Sequence, residues 1–295
     1  MRLLIALSLL VVAQYVRAES PIATTAGDQS GKIADLIARN QFEQAHAAAL
    51  AWQESKPEDS QAAFWVGGTA GQLAMRSGMF AAMGLAKTSR KGLVSAVELD
   101  PANIRAQFSL MQFYLMAPSM MGGDKDEAQA IAERIAKQSP VEGLRAKAQL
   151  LATDKDLDGW LRENNAALAL EPAHPDALGA VVGAHLGKSE FDAAKLAIDA
   201  AKAVDPQQPV VRYQYAKWAA LSGQDLEPAL AILDTLIALP VYPDRFSLSG
   251  AHYRRAQILA KLKRKEDAIA AYEACLAIDP DMKGVSDELE ALREA

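Results

Sequence analysis

The sequence is poor in the residues that carry most nucleophilic, redox and metal chemistry. Its 295 residues include one cysteine, Cys275, and four histidines, His46, His174, His185 and His252. A single cysteine excludes an intramolecular disulfide and a CxxC pair, and none stands near the N-terminus where a lipoprotein anchor would need it. The histidines share no metal-ligand spacing. There is no GxSxG and no phosphate-binding loop. No block of basic residues occurs and the formal charge is −6, which argues against nucleic acid as a partner. Without a nucleophile–base pair or a metal constellation, the expectation is a protein that is not an enzyme and needs no cofactor.

Half the residues are hydrophobic, enough to build a core without disulfides at this length. The first residues read MRLLIALSLLVVAQYVRAES. Arg2 forms a positive n-region, Leu3 to Val16 is apolar, and Val16-Arg17-Ala18 fits the −3 and −1 positions of a signal-peptide cleavage site. The apolar stretch of 14 residues is shorter than the roughly 20 that a spanning helix needs. Residues 1–18 are therefore expected to be a signal peptide and 19–30 a short lead. Cleavage after Ala18 would leave 29 basic against 37 acidic residues, a net charge of −8. The expected location is the periplasm, with no stable membrane span after cleavage.

Seven prolines punctuate the rest: Pro57, Pro101, Pro140, Pro172, Pro206, Pro240 and Pro280, at intervals of 44, 39, 32, 34, 34 and 40. Each closes an apolar helical pattern, as in AVELDP, ALALEP, AKAVDP and CLAIDP. A period near 34 with two helices per unit is the signature of tetratricopeptide arrays. The stretch SGAHYRRAQILAKLKRKEDAIAAYEACLAIDP resembles one such repeat along its whole length. Ala256 and Ala268 take the small positions of helices A and B, Tyr272 and Cys275 the next turns, and Pro280 the end. FDAAKLAIDAAKAVDP and FEQAHAAALAWQESKP resemble the same pattern, the former through Phe191, Ala194 and Ala201, the latter through Phe42, Ala45 and Trp52. The resemblance implies an all-α fold, a right-handed α-solenoid of about seven helix-turn-helix units. The array would cover residues 31–280 around one continuous core, with a polar capping helix over 281–295. FWVGGTAGQLA, MFAAMGLAKTSRKGLVSAVELDP and FYLMAPSMMGGDKDEA also resemble a group of exported bacterial tetratricopeptide proteins, a likeness that implies location and fold but no activity.

Several units depart from the pattern. The fourth is short and puts Trp160 at the small helix-B position, so its packing should differ. Pro228 should sit in the first turn of a helix B. The seventh carries a lead-in, VYPDRF. The second unit is about ten residues too long and the third about five, through MAPSMMGG. In that insertion Pro118 should stop the helix at Ala117. Gly122 and Gly123 permit positive torsions, and Asp124 with Glu127 resembles a capping box. Seven of the nine methionines lie between Met75 and Met121. Thioethers can bind Cu(I), but Met is a flexible core filler, and packing is the expectation. Gly179, Gly183 and Gly187 line one helix face, which either admits a close neighbour or keeps an inner surface shallow.

The repeat register assigns an inner face to the A helices. It holds Phe64, Arg105, Phe108, Gln112, Arg145 and Gln149 in the first half, then Tyr213, Lys217, Tyr253, Gln257 and Lys261. Rings among cations and amides suit the backbone and carboxylates of an extended peptide. The expected function is a periplasmic, non-enzymatic scaffold that binds a protein or peptide through this concave face. The alternatives are an enzyme or small-ligand-binding protein with its site in the long second and third units, or a subunit of an envelope complex docking through the 117–123 loop.

Overall fold

A computed structural model describes residues 28–294; the expected signal peptide, its cleavage point and most of the expected lead lie outside the described residues. The described chain is helical throughout, with no strand. Seven helix pairs follow one another: α1 (Gln29–Ala38) with α2 (Phe42–Ser55), α3 (Ser60–Arg76) with α4 (Met79–Leu99), α5 (Ile104–Met116) with α6 (Lys125–Gln138), α7 (Pro140–Thr153) with α8 (Leu157–Leu170), α9 (Pro175–Gly187) with α10 (Phe191–Val204), α11 (Pro209–Ser222) with α12 (Leu226–Ile237), and α13 (Leu248–Lys261) with α14 (Lys265–Ile278). Helix α15 (Val285–Glu294) caps the stack against α14. Each A helix packs on its pair-mate, and each B helix packs on the helix that follows it, the α-solenoid arrangement the repeats imply.

The small positions do what their spacing demands. Ala45, Ala128, Ala194, Ala229 and Ala268 each stand fourth in a B helix, and all are fully buried. The turn into helix B also repeats where the sequence does not. Asn40, Lys155, Ser189 and Lys263 each stand two residues before a B helix with φ between 59° and 64°, a left-handed conformation rare outside glycine. Side-chain caps start the helices: Asp28, Asp59, Asn103, Asp124, Ser139, Asp156 and Ser247 accept backbone N–H bonds, which satisfies donors left free at a helix start.

The long second unit extends both of its helices, to 17 and 21 residues. They cross closely at two glycines. A Cβ on Gly92 would lie 2.7 Å from the Gly67 amide nitrogen and 2.9 Å from the Ala63 carbonyl oxygen, so backbone meets backbone there.

Unit four differs, as Trp160 foreshadows, and the expected single core is broken there. One buried apolar cluster runs from Ile33 to Ala146 and a second from Ala173 to Leu289, joined by Ala38 of the first unit. Helix α8 turns Gly159, Glu163, Asn164 and Ala167 inward, leaving Trp160 half-buried. Two of the four are polar, so apolar contact lapses. Glu163 is 3.0 Å from Lys147, and Asn164 donates to the Trp160 carbonyl at 2.8 Å. The unit is short because Ser139 ends α6 and caps α7 at once, with Pro140 already the first helical residue. Pro228 sits in the first turn of α12.

Candidate partner-binding face

The first half of the inner face is filled from within. Arg105 lies over the rings of Phe64 and Trp65, 4.5 and 4.8 Å from their centroids, and Arg145 lies 4.6 Å over Phe108. Phe64 and Phe108 are buried under these guanidinium groups. The VYPDRF lead-in, between α12 and α13, reaches across the face to meet them. Asp244 accepts from Arg105 at 2.6 Å, and Arg245 approaches Asp176 at 3.1 Å. Asp176 and Glu142 both pair with Arg145, and Glu142 is 3.1 Å from His174. The result is a ladder of alternating charge across units three to five. Burial raises the Glu142 carboxyl, but the His174 hydrogen bond and the Arg145 charge outweigh it and hold the group below its ordinary range. Burial pushes the Arg105 guanidinium down, against the pull of Asp244.

The same lead-in ties the first unit to the last. The Tyr242 amide donates to Asp35 at 3.0 Å, and Arg39 lies 4.7 Å over the Tyr242 ring. Tyr242 stacks on Phe246 at 5.2 Å, and Phe246 meets Tyr213 edge-on at 6.2 Å. Asn40 donates to the Ile278 carbonyl at 2.9 Å. The array therefore curls until its ends touch.

At the far end, α15 supplies its own occupant. Glu288 accepts from Tyr253 at 2.5 Å, from Tyr272 at 2.7 Å and from Gln257 at 3.1 Å. Burial, with the Glu288 hydrogen bond, pushes the Tyr253 phenol up to about 12. Gln257, Lys261, Tyr272 and Glu288 line an open cleft of about 280 Å³.

Between these filled ends lies a stretch with unpaired charge. Lys217 and Arg254 are half-buried, and neither has a carboxylate partner among the described residues. Burial pushes the Lys217 ammonium down, and the neighbouring Arg254 charge adds to the effect. The Arg254 Nε and the Gln214 Oε1 are buried without a hydrogen-bond partner. A Cβ on Gly179 would lie 3.5 Å from the Gln214 amide nitrogen, and one on Gly183 3.9 Å from the Lys217 ammonium. Only side-chain tips approach these glycines, so they keep an inner surface shallow rather than admit a close helix. Gln112 and Gln149 remain half-buried without a side-chain hydrogen bond to a described residue.

Sequence reasoning placed Lys217 on this face but missed Arg254, Gln214, Asp244 and Glu288. The six-residue lead-in was the one signal for Asp244. The thiol of Cys275 is fully buried and pushed up to about 11 by that burial. The 117–123 turn is built as its residues demand. Ala117 is extended, Gly122 has φ +95°, and a Cβ on Gly123 would strike the Ala117 carbonyl. Asp124 caps α6 through the amides of Asp126 and Glu127; its own amide bonds the Tyr114 carbonyl, so the reciprocal half of the capping box is not formed. The methionines depart from expectation. Met111 is buried, but Met75, Met79, Met83, Met116 and Met120 are exposed, because the lengthened second unit and the third-unit turn carry them beyond the packed layers.

Residues 249–282 match the family model of the tetratricopeptide repeat. No curated protein matches the chain. Among solved structures, the Cut9-Hcn1 hetero-tetramer of the APC/C is similar with a TM-score of 0.54 at 13% identity, over 88% of this chain and 48% of that one. The human IFIT1 dimer with m7Gppp-AAAA gives 0.51 at 16% identity, over 84% and 57%. Yeast Tom70 gives 0.50 at 14% identity, over 94% and 60%. The chain thus spans about half to three-fifths of the length of these structures, and at such identities the likeness is one of fold. Residues 249–282 are thus one matched tetratricopeptide repeat, and the same helix pair repeated through the described residues gives them the fold of a tetratricopeptide array.

Proposed function

We propose that the protein is an exported, periplasmic, non-enzymatic scaffold that binds a protein or peptide partner through its concave face. The fold alone does not choose the partner: the human IFIT1 dimer, of similar fold, was solved with m7Gppp-AAAA. The net charge of −6 disfavours a polyanion as long as RNA. The observation that carries the reading is the pair Lys217 and Arg254. Two cations withdrawn from water without an anion are costly unless a ligand supplies one. The shallow strip at Gly179 and Gly183 leaves room for an extended backbone, and the Gln214 amide nitrogen lies toward it. A carboxylate-bearing peptide answers both the cations and the strip.

The reading is tested by immobilising the mature protein, passing periplasmic extract over it, and identifying what is retained. Wild type should retain a protein that the Lys217→Ala, Arg254→Ala double variant loses by tenfold or more. Equal retention by both would rule out this stretch as the contact. N-terminal sequencing of the mature chain should begin at Glu19; an intact Met1 would remove the assignment to the periplasm.

A further inference from the structure

The two insertions that lengthen units two and three build one apolar, cationic surface. The α3–α4 hairpin outruns the other pairs, and its tip reads AMRSGMFAAMGLAK, Ala74 to Lys87. Phe80 at the tip is 91% exposed, and Met75, Met79 and Met83 beside it are exposed as well. The short 3-10 turn Ser119–Met121 of the second insertion packs on α4, where Gly122 sits against the Arg90 side chain. The exposed Met116, last in α5, and Met120 of the turn, 82% exposed, add to it. Half of all the large hydrophobic side chains exposed among the described residues belong to this one region.

Charge on this surface is equally one-sided. Residues 60–97 contain Arg76, Lys87, Arg90 and Lys91 and no Asp or Glu, in a chain whose net charge is −6. Lys87, Arg90 and Lys91 are exposed on α4. At 1.5 Å per residue they stand about 10 to 16 Å behind Phe80 along the helix. The nearest acids after the turn, Asp124, Asp126 and Glu127, stand exposed at the start of α6, beyond the turn that carries Met120.

We propose that this hairpin tip, with Met116 and Met120 beside it, is a docking element for an anionic lipid surface. An apolar end inserts to a depth of about 5 to 10 Å at the boundary between headgroups and acyl chains, and cations behind it meet the lipid phosphates. Lys87, about 10 Å behind Phe80, stands at the outer edge of that depth, and Lys91 beyond it at the level of the headgroups. The tip offers flexible apolar side chains and few hydrogen-bonding groups, which suits a fluid, non-directional partner better than a shaped protein pocket. Within the hairpin itself, residues 60–97, no carboxylate opposes an anionic surface. Docking would hold the concave face near the membrane without a spanning helix.

The test is co-flotation of the mature protein with vesicles of phosphatidylglycerol and phosphatidylethanolamine, beside vesicles of phosphatidylcholine alone. Wild type should float with the first and not the second, and lose that binding as salt is raised. Lys87→Glu with Lys91→Glu should weaken it more than tenfold, at about fivefold per cation removed. Met79→Ser with Phe80→Ser should abolish it while circular dichroism stays unchanged. A Phe80→Trp variant should shift its emission to the blue on adding the anionic vesicles. Absence of flotation, or flotation indifferent to these substitutions, overturns the proposal. So does a tip whose serine variant abolishes self-association while vesicles bind neither form, since the surface would then meet a second copy of the chain.

Discussion

The inner face and the inserted edge treat charged and apolar groups in opposite ways. Inside, Arg105 and Arg145 lie on aromatic rings and are answered by Asp244, Asp176 and Glu142 from three separate segments. At the edge, Lys87 and Lys91 have no ion-pair partner among the described residues, and methionine side chains stand in water. The inner face pairs its buried charges except at Lys217 and Arg254, and leaves the Gln214 Oε1 and the side chains of Gln112 and Gln149 without hydrogen-bond partners among the described residues. The edge leaves nearly everything unsatisfied. An array that buries its charges so thoroughly in one place does not leave a cationic, apolar surface elsewhere for reasons of stability. The difference separates residues kept for folding from residues available to a partner.

The largest expected effect comes from breaking the inner ladder. Arg145 is almost fully buried. Replacing it with alanine takes the shared guanidinium from Glu142 and Asp176, which keep only His174 and Arg245, each acid with about a quarter of its side chain exposed. Removing one partner of a fully buried pair costs about 3–5 kcal/mol; the partial exposure lowers the expectation to about 2–3 kcal/mol. Urea unfolding should report that loss with an unchanged slope. A cost under about 0.5 kcal/mol would mean the ladder is ornamental.

Acid should act on the inside and spare the edge. The folded Glu142 carboxyl lies below its ordinary 4.5, so its contribution is present above that pH and is lost as pH falls through the folded value. His46 and His252 are held below 6.5, chiefly by burial. The unfolded chain therefore takes up protons first, and stability begins to fall below pH 6.5. Thermal melts should show a decline from about pH 6.5 that steepens below about 4.5. Glu142→Gln should flatten the lower part and His46→Gln with His252→Gln the upper. Stability that rises on acidification would contradict both assignments.

The parts of this contrast were unequally legible in the sequence. Proline spacing and the small positions at Ala45, Ala194 and Ala268 report contacts inside one unit, because they act through fixed helical offsets. They gave the helix pairs, the cap and the short fourth unit. Closure of the array depends on small rotations summed over seven units, and no local pattern encodes that sum. Hence the bonds from Asn40 to the Ile278 carbonyl and from Tyr242 to Asp35, each spanning more than 200 residues, had no signal. The methionines were misread for a related reason. Composition cannot tell a core filler from a surface side chain; the length of the hairpin carrying them decides it. The insertions were visible as excess residues, but that they lie side by side was not.

The smallest expected effect is the sharpest on this last point. If the edge is kept for contact and contributes nothing to the fold, Met79→Ser with Phe80→Ser should leave stability within about ±0.5 kcal/mol. Both side chains are exposed, so truncation opens no cavity and strands no polar group. Serine lowers helix propensity by only a few tenths of a kcal/mol relative to methionine, and the two sites are the first two residues of α4, after the Gly78 cap. Met111, in the same methionine-rich stretch but fully buried, provides the internal contrast, since its truncation to alanine should cost about 2–5 kcal/mol. Paired urea titrations of the two variants decide the matter. A loss above 1 kcal/mol for the tip would show that its side chains pack in solution and would move the edge from the contact side of the comparison to the folding side.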